Sequence, residues 1–501
     1  MVGSPGDGGR SGLKLQWIFL VLLPALLVGE SLQRTIDYDE FTFTHSTWLV
    51  SLGKIPCSDF LAVHPPLSWY LYLPFFRYLP KNFDCLLWMR IANDALSCIL
   101  LWALLKLIRL SLPGGRGAVA AFTSLLVVFF QPAVVGTLAE CRIDNLSTAA
   151  LLLGLVLYAD GQKRTNARTV VAGTLVGLSW VLSPKLALLP LLVIGLEWLL
   201  CRKADSRLLG RMGLAVTGAL LGLGLGFAYL KGQGIVLGEQ FQFSYQFHSI
   251  YFREFTSQGH CLRQAFVVTS GQQFYLPFLL AGIGMVGIGR CLKGSQAGQH
   301  PMILSLSLFS VVQLLLMPNP YKQYLCSVYL GWSAALALAF YQLLGWNQLR
   351  GMAVLSVLTV ASLISSSLTL WKELRGSLLT LQRETSAQLL ELVPPGGKVV
   401  SLMTLHPLFR EDGAFVFITS QAPGPVLVKT MQQLRPEDRR FTAPGLLEEM
   451  RASRPVLVAR SEVQQDPAVL QAVEAYLGEQ AASYRLISED SQVRVYLRGT
   501  P

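Results

Sequence analysis

Apolar residues run along this chain in long blocks separated by short polar breaks, not at the spacing of a soluble amphipathic helix and not in strict alternation. A helix needs roughly 20 mainly apolar residues to cross a bilayer. Blocks of this kind cover Leu15–Leu32, Cys85–Ile108, Ala118–Val135, Leu146–Tyr158, Val170–Leu182, Leu186–Leu200, Leu214–Leu230, Phe274–Ile288, Met302–Met317, Leu325–Leu344 and Met352–Leu370. The pattern predicts a polytopic α-helical membrane protein with about eleven transmembrane helices. Arg10 and Lys14 precede the first block as they would in a signal peptide, but no small-residue cleavage site follows, so it reads as a span. Leu67–Phe76 is apolar but interrupted by proline, and reads as a helix lying at the surface.

Basic residues orient the path. Lys106, Arg109 and Arg116, then Lys163, Arg164 and Arg168, then Arg202, Lys203, Arg207 and Arg211 fall on alternate turns, as cytoplasmic loops do. With the amino terminus inside, the first loop (33–84), Glu140–Asp144, Pro184–Lys185, Lys231–Gly271 and Pro318–Tyr324 all face outward. The chain divides into a disordered cytoplasmic start (1–14), a transmembrane domain (15–372) and a small soluble extracytoplasmic α/β domain (383–501). In that last part the breaker Pro394–Gly397 precedes strands expected at Lys398–Met403, Val456–Ala459, Tyr484–Ile487 and Val493–Leu497, with a helix at Pro467–Glu479. It carries no nucleophile–base pair and no phosphate loop, which reads as a lid or spacer.

Composition agrees with this pattern. Of 501 residues 52% are hydrophobic and 14% charged, against roughly 25% charged in a soluble domain. The net charge of +11 comes from clusters between spans, not from one contiguous patch, which argues against a nucleic-acid partner and makes membrane lipids the surroundings. The eight cysteines are dispersed, which indicates neither a zinc site nor a disulfide framework; a bond between Cys57 and Cys85 in an oxidised loop runs against that dispersal. The Leu–Gly alternation of Leu221–Gly226 reads as close helix packing. Asn145-Leu146-Ser147 spells a glycosylation sequon at the start of a span, where an acceptor is hard to reach.

Candidate chemistry gathers on the outward side. Asp37, Asp39 and Glu40 follow the first span, and His45, Asp59 and His64-Pro65-Pro66-Leu67 come next. Sugar transfer needs a base for the acceptor proton, which an ionised carboxylate supplies. It also needs cations for the departing phosphate, and Arg142, Lys185, Arg253 and Lys322 share that face. The structural alternatives are a helix cap for the acidic cluster, a local ion pair for Arg142 and Asp144, a snorkelling side chain for Lys185, and packing of His64 on Trp69.

The order of these features resembles the GT-C superfamily of polyprenyl-phosphate-sugar glycosyltransferases, in the branch of protein mannosyltransferases and lipid A aminoarabinose (ArnT-like) transferases. The resemblance covers about Gln16 to Leu370 and rests on Asp39-Glu40, Gly53, Asp59-Phe60, His64-Pro65-Pro66-Leu67, Trp69-Tyr70, Arg90, Arg142-Ile143-Asp144, Lys185 and Pro320–Leu325. It implies inverting transfer of a hexosyl or pentosyl group from a lipid-linked donor to a lipid, polysaccharide or protein acceptor, in a bacterial plasma (inner) membrane. Asp39 would be the base, with Asp37 the alternative and Glu40 beside it; Asp144 would be a second acidic site. Arg142, Lys185, Arg253, Lys322 and Tyr324 would hold the lipid phosphate, and His64 and Asp59 would position substrate. Metal use differs across the superfamily, so Asp39, Glu40 and Asp144 could hold a divalent cation, Mg or Mn, or act without one. The competing classes are a flippase for a lipid-linked glycan, expected to place charges near the bilayer midplane, and a non-catalytic scaffold.

Overall fold

The computed structural model describes residues 24–160, 166–201, 207–247, 249–250, 301–316, 326–402, 406–415, 427–461, 465–489 and 493–499. Among them, six helical segments are long and apolar enough to cross a membrane: Asp84–Ser111, Ile143–Asp160, Pro184–Cys201, Leu208–Gly232, Val328–Trp346 and Gln348–Leu392. The expected span Phe274–Ile288, the first half of Leu15–Leu32, and the site candidates Arg253, Lys322 and Tyr324 lie outside the described residues.

The described helices are α1 (Tyr38–Ser51), α2 (Leu67–Phe76), α3 (Asp84–Ser111), α4 (Gly114–Phe129), α5 (Pro132–Ala139), α6 (Ile143–Asp160), α7 (Asn166–Leu182), α8 (Leu188–Cys201), α9 (Leu208–Gly232), α10 (Leu237–Phe241), α11 (Pro301–Leu316), α12 (Cys326–Trp346), α13 (Gln348–Arg375) and α14 (Leu379–Leu392). They are followed by β1 (Lys398–Val400), β2 (Glu411–Asp412), α15 (Leu427–Leu434), α16 (Ala443–Ser453), β3 (Leu457–Arg460), α17 (Pro467–Glu479), β4 (Tyr484–Glu489) and β5 (Arg494–Arg498). The expected single span over Ala118–Val135 is two helices, α4 and α5. Pro132 opens α5, and a residue without an N–H cannot continue the ladder of α4.

The chain forms two compact units: a helical unit of Met1–Arg34, Arg90–Gly226 and Thr256–Gly376, and a mixed unit of Thr35–Met89, Phe227–Phe255 and Ser377–Pro501. In the helical unit, α6 packs along α7, and α12 packs on both α4 and α11, around buried Leu104, Phe129, Leu151, Phe309 and Phe340. Helices α7 and α9 touch through glycine. A Cβ at Gly173 or Gly177 would stand 2.1 Å from the carbonyl oxygen of Ala215 or Ala219, and one at Gly218 or Gly222 would stand 2.2 Å from that of Val170 or Thr174. Close backbone approach of this kind is how helices associate in lipid, where apolar burial gives no preference. Within the Leu–Gly run Gly222 is such a contact and Gly226 packs on the Val181 side chain, whereas Gly224 meets open space.

In the mixed unit the sheet order is β2-β1-β3-β5-β4. Strands β2, β1 and β3 are parallel, and β5 and β4 complete the sheet antiparallel. Leu389, Val393, Val399, Leu457 and Val495 form its core. The first-loop segment is built into the same unit: Gln382 exchanges hydrogen bonds with the Ile36 backbone at 2.8 and 3.0 Å, and Leu61 N–H donates to the Phe415 carbonyl at 3.1 Å. Cys57 and Cys85 are both free thiols, so the pairing raised from the sequence is absent. Burial pushes the Cys57 thiol up to about 12, which keeps it protonated.

Candidate active site

In the helical unit the charged cluster sits where α5 gives way to α6. Glu140 has extended backbone after α5, and α6 begins at Ile143, so Glu140, Arg142 and Asp144 alternate along a short bend. The Glu140 carboxylate is buried and shared: Arg34 reaches one oxygen at 2.6 Å and Arg142 the other. Asp144 accepts from Lys185 Nζ at 2.9 Å and from Ser183 Oγ at 3.0 Å, within electrostatic range of Arg142. Arg142, Asp144 and Lys185, named from the sequence, therefore come together. Arg34 and Glu140 complete the cluster and were not foreseen; the Glu-x-Arg-x-Asp alternation was the available signal.

The cluster is held by framework bonds. Buried Arg90 donates to the carbonyls of Ser31 and Arg34 at 3.0 and 2.7 Å, satisfying the end of the helical residues 24–33. Asn145 is buried and donates toward the Asn93 side chain and the Thr137, Leu138 and Glu140 carbonyls at 3.1–3.2 Å. The sequon asparagine is thus a structural tie. Gly136 lies under the Arg34 guanidinium, where a Cβ would come within 2.5 Å of Nη1.

In the mixed unit the first-loop acids divide their work. Asp37 is the N-cap of α1 and accepts from Asp39 N–H at 3.0 Å, while Glu40 reaches back to Asp37 N–H at 3.0 Å, a complete capping box. The Asp39 carboxylate stands in the first turn, half-buried and outside that box. Asp59 accepts from Ile55 N–H at 2.6 Å and closes a turn. His64 is half-buried ahead of α2.

The third cluster joins α1 to the sheet. His45 is fully buried; its Nδ1 meets the Leu408 carbonyl at 2.6 Å and its Nε2 meets Asp412 at 2.8 Å. The other Asp412 oxygen is 3.2 Å from His406 Nε2, and His406 Nδ1 accepts from Leu408 N–H at 3.0 Å. Leu408 has φ of 55°, a strained value for a leucine, and the two imidazoles grip its peptide from either side. Among the described residues, His45, His406 and Asp412 are the group of three side chains close enough to share a metal ion. The donors and acceptors fit protons better. With Nδ1 accepting from the Leu408 N–H, His406 carries its proton on Nε2 toward Asp412, so that ring has no lone pair left for a cation. Burial opposes the Asp412 charge, yet His45 beside it and the hydrogen bonds from both histidines hold its carboxyl below the ordinary range. Burial, reinforced by His45, depresses His406. The carboxylates named for Mg or Mn are otherwise engaged, Glu40 in the cap and Asp144 with Lys185 and Ser183.

No protein-family profile and no curated protein sequence matches the chain. Solved structures do. ArnT from Cupriavidus metallidurans bound to undecaprenyl phosphate matches with a TM-score of 0.61 at 14% identity, covering 96% of this chain and 97% of that one. The same protein in the apo state gives 0.60 at 15% identity, with 96% and 97% covered. The Archaeoglobus fulgidus oligosaccharyltransferase, tethered to an acceptor peptide containing an NVT sequon, gives 0.54 at 13% identity, with 98% and 74% covered. At these identities the likeness speaks for the fold alone: the chain shares the fold of these two proteins, the kind of fold its sequence motifs implied.

Proposed function

We propose that the chain is a membrane glycosyltransferase that moves a hexosyl or pentosyl group from a polyprenyl-phosphate donor to a lipid, polysaccharide or protein acceptor. The observation that carries this reading is the fold match, over nearly the whole of both chains, to a transferase captured with undecaprenyl phosphate. Eleven spans, an outward-facing site and an extracytoplasmic 383–501 segment in a bacterial plasma membrane complete the proposal.

The chemistry follows from the clusters. Asp39, the first-loop acid outside the capping box, takes the proton from the acceptor hydroxyl or amine as that group attacks the anomeric carbon. One bond forms from acceptor to carbon, the carbon–oxygen bond to phosphate breaks, and the configuration inverts. Polyprenyl phosphate departs with the extra negative charge. Arg142 and Lys185, held ready by Glu140 and Asp144, offset that charge. Arg253, Lys322 and Tyr324 join them in this reading, and His64 and Asp59 border the acceptor.

The test is transfer in liposomes from a panel of radiolabelled polyprenyl-phosphate sugars to membrane extract. Wild-type protein should label an acceptor, and Asp39→Asn should reduce the rate by about 100-fold or more while remaining folded and inserted. Full activity in Asp39→Asn removes the base assignment, and label that only changes leaflet makes the protein a flippase.

A further inference from the structure

We infer that the mixed unit carries an anion site, distinct from the clusters above, that takes a phosphate group borne on a polyol. The site is a cavity of about 910 Å³ at one end of the sheet, walled by Lys398, Arg451, Arg454 and Arg498 together with Ser483 and Tyr476. Its wall has four cations and no carboxylate.

The sheet register assembles it. Strands β1 and β5 flank β3, and β5 runs antiparallel to the other two, so the start of β1 and the end of β5 meet at the start of β3. There Val456 N–H donates to the Lys398 carbonyl at 2.7 Å, and the Val456 carbonyl accepts from Arg498 N–H at 2.9 Å. Arg454 arrives two residues earlier, at the end of α16. Three cations distant in sequence are thus fixed around one peptide unit. Arg498 is tethered without being neutralised, donating to the Arg454 carbonyl at 2.8 Å, whereas Arg451 is ion-paired with Glu479, next to the wall residue Gln480.

Arg454 is the informative position. It caps α16 with φ of 47° and ψ of 63°, the left-handed conformation that helices commonly assign to glycine. It also precedes Pro455, which disfavours helical backbone still further. A cation near a helix C-terminus interacts favourably with the dipole, and that alone would explain Arg451 and Arg454. It does not explain Lys398 and Arg498, which come from strands.

The chemistry names the ligand class. Several cations around one open space, with hydroxyls beside them, suit an anion with several acceptor oxygens on one centre, which is a phosphate ester. The volume lies within the range of roughly 300–1,000 Å³ typical of small-molecule sites, larger than phosphate alone needs. A phospholipid headgroup and a soluble sugar phosphate both offer this chemistry. The inference is independent of the reaction the chain performs.

The experiment uses the full chain in phosphatidylcholine nanodiscs. One arm titrates glucose 1-phosphate calorimetrically; the other adds phosphatidylglycerol and reads retained lipid by native mass spectrometry. Wild type should bind at least one probe, and the arm that responds identifies the source. Arg454→Gly and Lys398→Gln should each weaken that binding by about fivefold to tenfold. Arg454→Gly should leave Tm unchanged or raised, since glycine suits that backbone, which separates a lost ligand contact from a lost fold. Absence of binding to both probes, or wild-type binding in both variants, overturns the site.

Discussion

The charged clusters of the two units are built from different chemistry. In the helical unit, buried carboxylates meet arginine and lysine: Glu140 with Arg34 and Arg142, and Asp144 with Lys185. In the mixed unit, one buried carboxylate meets two histidines. Arginine and lysine keep their charge across the neutral range, whereas histidine changes charge within it. The first arrangement is a permanent electrostatic fixture, and the second is a joint whose strength depends on pH.

The largest structural effect is expected at Glu140. Glu140→Gln takes the paired carboxylate from the buried Arg142 guanidinium and leaves Arg34 with only the more distant Glu30, a loss of about 3 kcal/mol, visible as a strongly lowered Tm in detergent. An unchanged Tm would make the helical cluster an ornament of the loop. Asp412→Asn comes next, with about 2–3 kcal/mol lost and faster hydrogen exchange confined to α1 and residues 406–412. Exchange spreading instead into α6 and α7 would break the division between the two clusters.

The pH comparison is smaller and has a definite sign. His406 is depressed below its ordinary 6.5, mainly by burial, so its contribution to stability is complete above pH 6.5 and is lost as pH falls below that value toward the folded pKa. The stability difference between wild type and His406→Gln should therefore shrink between pH 7 and about 5, while that between wild type and Glu140→Gln should not. Parallel behaviour of the two would erase the contrast. The smallest effect is expected for Lys185→Ala: its side chain is 36% exposed, and such pairs contribute about 1 kcal/mol or less to stability. Its consequence should appear in donor dependence of transfer and hardly in Tm.

Much of the fold was legible along the chain. The run-length of apolar residues marked the long helices, and Gly222 and Gly226 read correctly as packing contacts because a small residue inside a span has few other uses. The helix Pro467–Glu479 and the starts of β1 and β4 fall where the breakers and β-branched runs suggested. The division of Ala118–Val135 was missed because apolar content masked Pro132. Arg142, Asp144 and Lys185, singled out by charge at span ends, are brought together by the fold. Glu140 and Arg34 were passed over because each, alone, looks like an ordinary polar flank.

The sequence by itself determined the long apolar helices, the helical class and the acidic first turn of α1, because each depends on residues adjacent in the chain or on their hydrophobic run-length. Only the tertiary structure decided that Asp37 and Glu40 are spent on a capping box, that one carboxylate holds both Arg34 and Arg142, and that His45 meets Asp412 and His406. Those facts depend on where separate segments converge and on which hydrogen-bond donor faces which acceptor, and a linear pattern does not encode the partner of a buried polar group.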